Sequence, residues 1–145
     1  KSGPTARRLI DNFFSDKRWR IEIENSIIPD DPEKLESAIK QARNEGIDVI
    51  ITTGGTGVSE RDITPDVVER MCEKKIPGIM EFIRVKYGQS NPRALLSRSV
   101  AGVIGKSLIY TLPGSAKATE EYISEILKTI EHLIMTLNGV DTHSK

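Results

Sequence analysis

The residues best suited to chemistry lie in one uninterrupted stretch, Thr52-Thr53-Gly54-Gly55-Thr56-Gly57-Val58-Ser59-Glu60-Arg61-Asp62-Ile63-Thr64-Pro65. Glycines at 54, 55 and 57 let backbone amides approach a phosphate with no Cβ in the way. Thr56 and Ser59 add hydroxyl donors. Thr64 followed by Pro65 has the form of a helix cap and first helical residue, and the unpaired amides of such a start favour an anion. Asp62 then stands beside the anion site. A carboxylate is useful there if Mg²⁺ lies between it and the phosphates, because hard oxygen ligands suit that ion. Three glycines alone would describe only a tight strand-to-helix turn with solvated charges. The attached Ser59-x-Arg61-Asp62-x-Thr64-Pro65 shifts the reading to phosphate and metal binding.

Two further segments display polar groups at turns. In Ile27-Ile28-Pro29-Asp30-Asp31 a strand-like run ends in a pair of carboxylates. Taken alone, this is explained by Asp31 capping the next helix. In Leu112-Pro113-Gly114-Ser115-Ala116-Lys117-Ala118, Gly114 frees the backbone and Ser115 can cap a long helix. Lys117 in that first turn opposes the helix dipole, a small local cost that an anionic ligand would offset. An ordinary turn with an exposed lysine is an equal reading.

Other candidates carry less. Gly105-Lys106-Ser107 has the look of a Walker A ending, but position 100 is Val where that motif needs Gly, and a strand follows where a helix should. His132 and His143 have no ligand cluster beside them, so a zinc site is not indicated. Cys72 reads as a core thiol and Trp19 as a packing residue.

The elements that must hold these segments alternate between helix and strand. Apolar spacing predicts helices over Ala6 to Phe14, Pro32 to Gly46, from Thr64-Pro65 onward, and Pro77 to Tyr87. A single long helix is predicted from Ser115, through Tyr122, Ile126, Ile130 and Ile134, to Leu137. Arg20 to Glu24 alternates polar and apolar and predicts a strand, while Ile47 to Thr53 and Ser107 to Leu112 read as buried strands rich in β-branched residues. Leu95 to Ile104 is irregular or strand-like, and Val140 to Lys145 is expected to be a loose tail. This order predicts one α/β domain over residues 1–139, three layers deep, with a mostly parallel central sheet. Such sheets bind ligands at the carboxyl ends of their strands, where both glycine-bearing loops fall.

Composition narrows the function classes. The 145 residues fit one domain with a real core. Lys+Arg and Asp+Glu are both 21, giving net charge +0, which argues against a general nucleic-acid or anionic-membrane binder. One cysteine allows no internal disulfide, no apolar run is long enough to span a bilayer, and no signal-peptide core is present. A cytoplasmic location is the expectation.

Several motifs in order complete the reading. Thr53-Gly54-Gly55-Thr56-Gly57, Arg61-Asp62-Ile63-Thr64-Pro65, Leu96-Ser97-Arg98, Ala101-Gly102 and Leu112-Pro113-Gly114-Ser115-x-Lys117-Ala118 resemble the Mog/MoaB-like molybdopterin-binding family, which includes the gephyrin G domain. The resemblance runs from Lys1-Ser2-Gly3-Pro4 to the last helix. It implies transfer of AMP from Mg-ATP to the terminal phosphate of molybdopterin, with release of pyrophosphate. It further implies a homo-oligomer, trimer or hexamer, and a molybdenum-insertion protein as a further partner. Asp30 and Asp62 match the family's functional aspartates and are expected to handle Mg²⁺ and phosphate as catalytic residues. Gly54, Gly55, Thr56, Gly57, Ser59, Arg61 and Thr64 are expected to bind substrate, together with Ser97, Arg98, Pro113, Gly114, Ser115 and Lys117. Family members begin with a further strand and a Ser-Asp loop ahead of Ser-Gly-Pro, so the first strand is expected to be missing here. A non-catalytic molybdopterin-binding or scaffold domain is the alternative on the same fold.

Overall fold

A computed structural model describes residues 2–17 and 19–140. Helices α1 (Ser2–Ser15), α2 (Pro32–Asn44), α3 (Thr64–Met71), α4 (Pro77–Gly88), α5 (Ala116–Ile126) and α6 (Ile130–Leu137) surround strands β1 (Val49–Thr53), β2 (Lys74–Lys75), β3 (Ala101–Ile104) and β4 (Ser107–Leu112). Proline opens α2, α3 and α4 within their first two positions, where its missing N–H is no loss. Asp31 caps α2 by accepting from the Glu33 amide at 2.9 Å, as its type and place suggest.

The strands form one sheet in the order β1-β4-β3-β2. β1 runs parallel to β4, with Val49 opposite Leu108 and Thr53 opposite Leu112. β4 is antiparallel to β3, and β3 to β2. The sheet is therefore mixed, which corrects the mostly parallel expectation. The reason is local. Ile104 and Ser107 are partners separated only by Gly105-Lys106, and a two-residue connection forces an antiparallel hairpin. Gly105 supplies the φ of +61° that this turn requires.

Alternate residues of β4 point to opposite faces, as a pleated strand demands. Leu108, Tyr110 and Leu112 join Ala101, Val103, Met80, Ile83, Tyr122, Ile123 and Ile126 in one core, with Ala6 and Phe14 of α1. Ile109 joins Ile104, Leu35, Ile39, Val67 and Val68 in the other. Thus α1, α4, α5 and α6 cover one face and α2 with α3 the other. β4 is wholly buried, which explains why Leu108, Ile109 and Tyr110 are apolar on both faces rather than alternating with exposed polar residues.

Two further expectations are corrected. Arg20 to Glu24 forms no strand. Its alternation reports the facing correctly: Ile21 and Ile23 are half-buried while Arg20, Glu22 and Glu24 are exposed. A strand, however, is defined by its ladder, and this run has no pairing partner among the described residues. The last helix is two helices, with a turn at residues 127–129. There Lys128 bonds Glu125 O and Thr129 bonds Ile126 O, i to i+3 bonds that tighten and end α5. No glycine or proline announces that break. The tail from residue 141 onward, including His143, lies outside the described residues.

Candidate active site

Because β1 and β4 are parallel neighbours, their carboxyl ends finish side by side. The loops leaving Thr53 and Leu112 are therefore adjacent. Gly54 N donates to Leu112 O at 2.8 Å, and a Cβ on Gly114 would stand 3.4 Å from Gly54 Cα. The sheet itself thus brings together the two glycine-bearing segments that the sequence holds far apart.

The first loop needs its glycines for two separate reasons. Gly54 and Gly55 have φ of +93° and +71°, a region costly for residues with a Cβ. At Gly55 and Gly57 space is also lacking. A Cβ would lie 2.7 Å from Thr64 Oγ1 at the first and 2.8 Å from Asp62 Oδ2 at the second. Thr64 N closes the turn on Gly55 O at 3.3 Å. Thr64 begins α3 but makes no side-chain cap bond, which corrects the expected cap. Its hydroxyl is turned towards Gly55 instead. Thr56 is buried, whereas Ser59 and Arg61 are exposed at the loop's outer side.

Asp62 folds back over the loop. Its Oδ2 accepts from Ser59 N and from Ser59 Oγ, both at 2.9 Å. The Ser59 amide and then its hydroxyl hold the Asp62 carboxyl below the usual carboxylate range, against the smaller opposing effect of desolvation. The group is therefore an anion at neutral pH, poised beside a glycine turn. Asp30 is exposed in the turn ahead of α2. Ile28 beside Asp30, and Ile63 beside Asp62, both anchor in the core cluster under α2 and α3. That shared anchoring fixes both carboxylate-bearing turns to one layer of the fold.

Ser97 and Arg98 approach the glycine loop from the segment before β3. Arg98 N donates to Thr56 O at 2.9 Å. The Arg98 side chain donates to Gly57 O at 2.8 Å, to Asp62 O at 2.7 Å, and to both carboxylate oxygens of Asp66 at 3.0 and 3.3 Å. An arginine has five N–H donors, so most of this guanidinium is occupied by the protein. Arg98 staples the loop shut from outside. Asp66, which had no motif to mark it, is the staple's counter-charge. The pair is separated by 32 residues, beyond the reach of any local spacing rule.

On the β4 side, Ser115 caps α5 by accepting from Ala118 N at 3.0 Å. Pro113 is half-buried, and Gly114 and Lys117 are exposed beside it. Lys117 makes no ion pair with the described residues. The α5 start therefore presents backbone amides and a free cation close to the first loop, an arrangement suited to a polyanion.

The donor set bears on a metal. Among the described residues no three His, Cys, Asp or Glu side chains gather into a binding group. A fully protein-built cage is thus not part of this site. Mg²⁺ does not need one: it keeps several waters and binds through one or two carboxylates plus substrate phosphates. The hard oxygens of Asp62 and Asp30 fit that mode.

A mixed sheet sandwiched by helices, with a phosphate-compatible loop pair at the ends of two parallel strands, defines an α/β ligand-binding domain. Comparison with known proteins gives it a family. Residues 16–132 match the probable molybdopterin binding domain. The chain is 38% identical over 141 residues to "Molybdenum cofactor biosynthesis protein B" of Staphylococcus carnosus, covering 94% of this chain and 81% of that one. It is 37% identical over 120 residues to "Molybdopterin adenylyltransferase" of Helicobacter pylori, covering 82% and 68%. Among solved structures, the molybdopterin biosynthesis enzyme MoaB of Thermus thermophilus superposes with a TM-score of 0.80 at 32% identity, over 93% of this chain and 85% of that one. The chain belongs to the MoaB/Mog molybdopterin-binding family.

Proposed function

We propose that this protein works in molybdenum cofactor biosynthesis as a molybdopterin adenylyltransferase, transferring AMP from ATP to molybdopterin. The observation that carries the reading is the contact of the Gly54 and Gly114 loops. On this reading the glycine turn and the capped start of α5 form one surface for two phosphorylated substrates, to which Lys117 and Asp62 contribute charge. The name of the Helicobacter pylori relative supports it.

In this reaction an oxygen of the molybdopterin phosphate attacks the α-phosphorus of ATP. A new P–O bond forms, the bond to the β-phosphate oxygen breaks, and pyrophosphate leaves. The protein's part is positioning and charge neutralisation. Amides of residues 55–57 and the start of α5 cradle phosphate oxygens, and Lys117 counters their charge, while the Gly54 amide stays on Leu112 O. Asp30 and Asp62 would hold Mg²⁺, which when bound would supply positive charge to the phosphates. Ser59 keeps Asp62 ionised for that task, and Ser97 lines the molybdopterin side.

The same reading includes a homo-oligomer, trimer or hexamer. Phe82 and Val85 on α4 and Leu95 and Leu96 in the adjoining 3₁₀ turn (Pro92–Leu96) are each more than half exposed. A monomer seldom leaves several large apolar side chains together in water.

The deciding experiment measures pyrophosphate release from Mg-ATP with and without molybdopterin. Release that requires molybdopterin and disappears in Asp62→Ala is the expected outcome. Tight molybdopterin binding with no release would reject catalysis and leave a binding or scaffold domain.

A further inference from the structure

Arg84 breaks the pattern of its own helix. On α4, Met80 and Ile83 are buried in the first core cluster and Tyr87 packs against it. Arg84 lies one turn after Met80 and beside Ile83, where an amphipathic helix calls for an apolar side chain. It is half-buried. A guanidinium drawn that far from water needs acceptors.

The acceptors it finds are specific. Arg84 Nη1 donates to Ser97 O at 3.4 Å and to Ser99 O at 3.2 Å. These carbonyls flank Arg98 on either side. The hydroxyls of Ser97 and Ser99 meet at 2.9 Å, which tightens the same three residues, and Ser99 is buried. Arg98 is thus gripped from behind by Arg84 while its own amide and guanidinium hold Thr56, Gly57 and Asp62 in front. A continuous line of hydrogen bonds runs from α4 through residues 97–99 to the glycine loop, although the Arg84 hydrogen bonds go to Ser97 O and Ser99 O and not to the loop itself.

We propose that Arg84 is a positioning residue: it fixes the backbone on both sides of Arg98, and through Arg98 it sets the loop that carries Asp62. The kinetic consequence rests on the adenylyltransferase reading, whereas the ordering of the loop does not. A supporting shell of this kind decides whether reacting groups sit in register, and a misplacement of about 1 Å can cost about a hundredfold in rate.

The test is amide hydrogen exchange on the whole protein, combined with pyrophosphate-release kinetics, for wild type, Arg84→Met, Arg84→Lys and, as reference, Arg98→Met. Arg84→Met is expected to speed exchange about tenfold in residues 56–62 while α2 and α5 stay within about twofold. It is expected to lower kcat about 10- to 100-fold with the KM for ATP within about threefold. Arg84→Lys is expected to recover part of both losses, because an ammonium can still donate to a carbonyl. The proposal is overturned if loop exchange is unchanged in Arg84→Met while Arg98→Met raises it. It is also overturned if exchange rises equally throughout the chain, and a kcat that holds while the loop loosens overturns its kinetic consequence. A wild-type protein with no turnover defeats the adenylyltransferase reading instead, and the exchange results then decide Arg84 by themselves.

Discussion

Arg98 meets Asp66 end to end, Nη1 on Oδ1 at 3.0 Å and Nη2 on Oδ2 at 3.3 Å, while the same guanidinium reaches two carbonyls of the glycine loop. The two halves of this contact differ in worth. The ion pair is largely in solvent, with side-chain exposures of 37% and 60%, so its attraction is screened. The bonds to Gly57 O and Asp62 O are shorter and partly buried. Asp66→Ala is therefore expected to cost about 1 kcal/mol or less. Arg98→Ala is expected to cost about 1–3 kcal/mol, because it leaves two loop carbonyls without their donor. Thermal melts of the two single variants and the double variant check this, with the double variant expected to lose little more than Arg98→Ala alone. Equal losses from the two single substitutions would show that the ion pair and not the carbonyl bonds holds the loop.

Gly54 and Gly55 separate backbone strain from crowding. Both have positive φ, but only at Gly55 would a Cβ collide, with Thr64 Oγ1 at 2.7 Å. Gly54→Ala is expected to cost about 1 kcal/mol and Gly55→Ala about 2–4 kcal/mol. Adding Thr64→Ala to Gly55→Ala is expected to return part of the difference. Denaturant melts of the four proteins measure it, and equal costs at 54 and 55 would reject the collision.

Lys117 sits in the first turn of α5, where its charge opposes the helix dipole. Lys117→Ala is expected to leave stability unchanged or to raise it slightly, by about a few tenths of a kcal/mol. The same change is expected to raise the KM for the phosphorylated substrates about 3- to 30-fold at low salt, less at high salt. A variant that loses stability but binds normally would make Lys117 a structural residue.

Glu125 is the buried anion that ties α5 to α4. It accepts from Lys86 and Tyr87 on α4 and from Lys128 in the turn after α5. Burial alone would raise its pKa, but the hydrogen bonds from Lys128, Lys86 and Tyr87 outweigh it and hold the carboxyl at about 2. A carboxyl whose pKa is lower folded than unfolded stabilises fully above its unfolded value of 4.5 and loses that contribution as pH falls towards 2. Wild type is thus expected to lose stability across that window faster than Glu125→Gln, which starts about 1–3 kcal/mol lower at neutral pH. Chemical denaturation at pH 7, 4.5 and 3 checks the convergence of the two.

The parts of this site legible from sequence are those built from neighbours in the chain. The glycine turn, the Asp31 cap and the Ser115 cap each follow from a residue and its next three positions. The strands β1 and β4 follow from their apolar and β-branched composition, but only β4 is buried; β1, at the sheet edge, is half-buried. The Arg98 staple could not be seen, because its acceptors come from residues 57, 62 and 66 and only the folded sheet brings them near. Arg84 did carry a signal, a charge on an apolar stripe, but its acceptors are backbone carbonyls and leave no trace in side-chain spacing. The Arg20 to Glu24 alternation correctly indicated which side chains are buried, yet a ladder depends on a second strand that no local pattern specifies. The mixed sheet was missed: the alternation of helix and strand suggested a mostly parallel sheet, although Gly105-Lys106 is a two-residue connection that forces an antiparallel pair.

The two pairings made by β4 also differ in how they can be reached in time. β3 and β4 are joined by a two-residue turn, so their hairpin closes a minimal loop and can form early. β1 and β4 pair Val49 with Leu108, which requires closing a long stretch of chain before any bond is gained, an entropic debt that slows such contacts. The adjacency of the Gly54 and Gly114 loops depends wholly on that second pairing. The surface proposed to take two phosphates is therefore expected to form late in folding, after the hairpin that supports it. Substitutions at the loop contact should then speed unfolding while leaving the folding rate nearly unchanged.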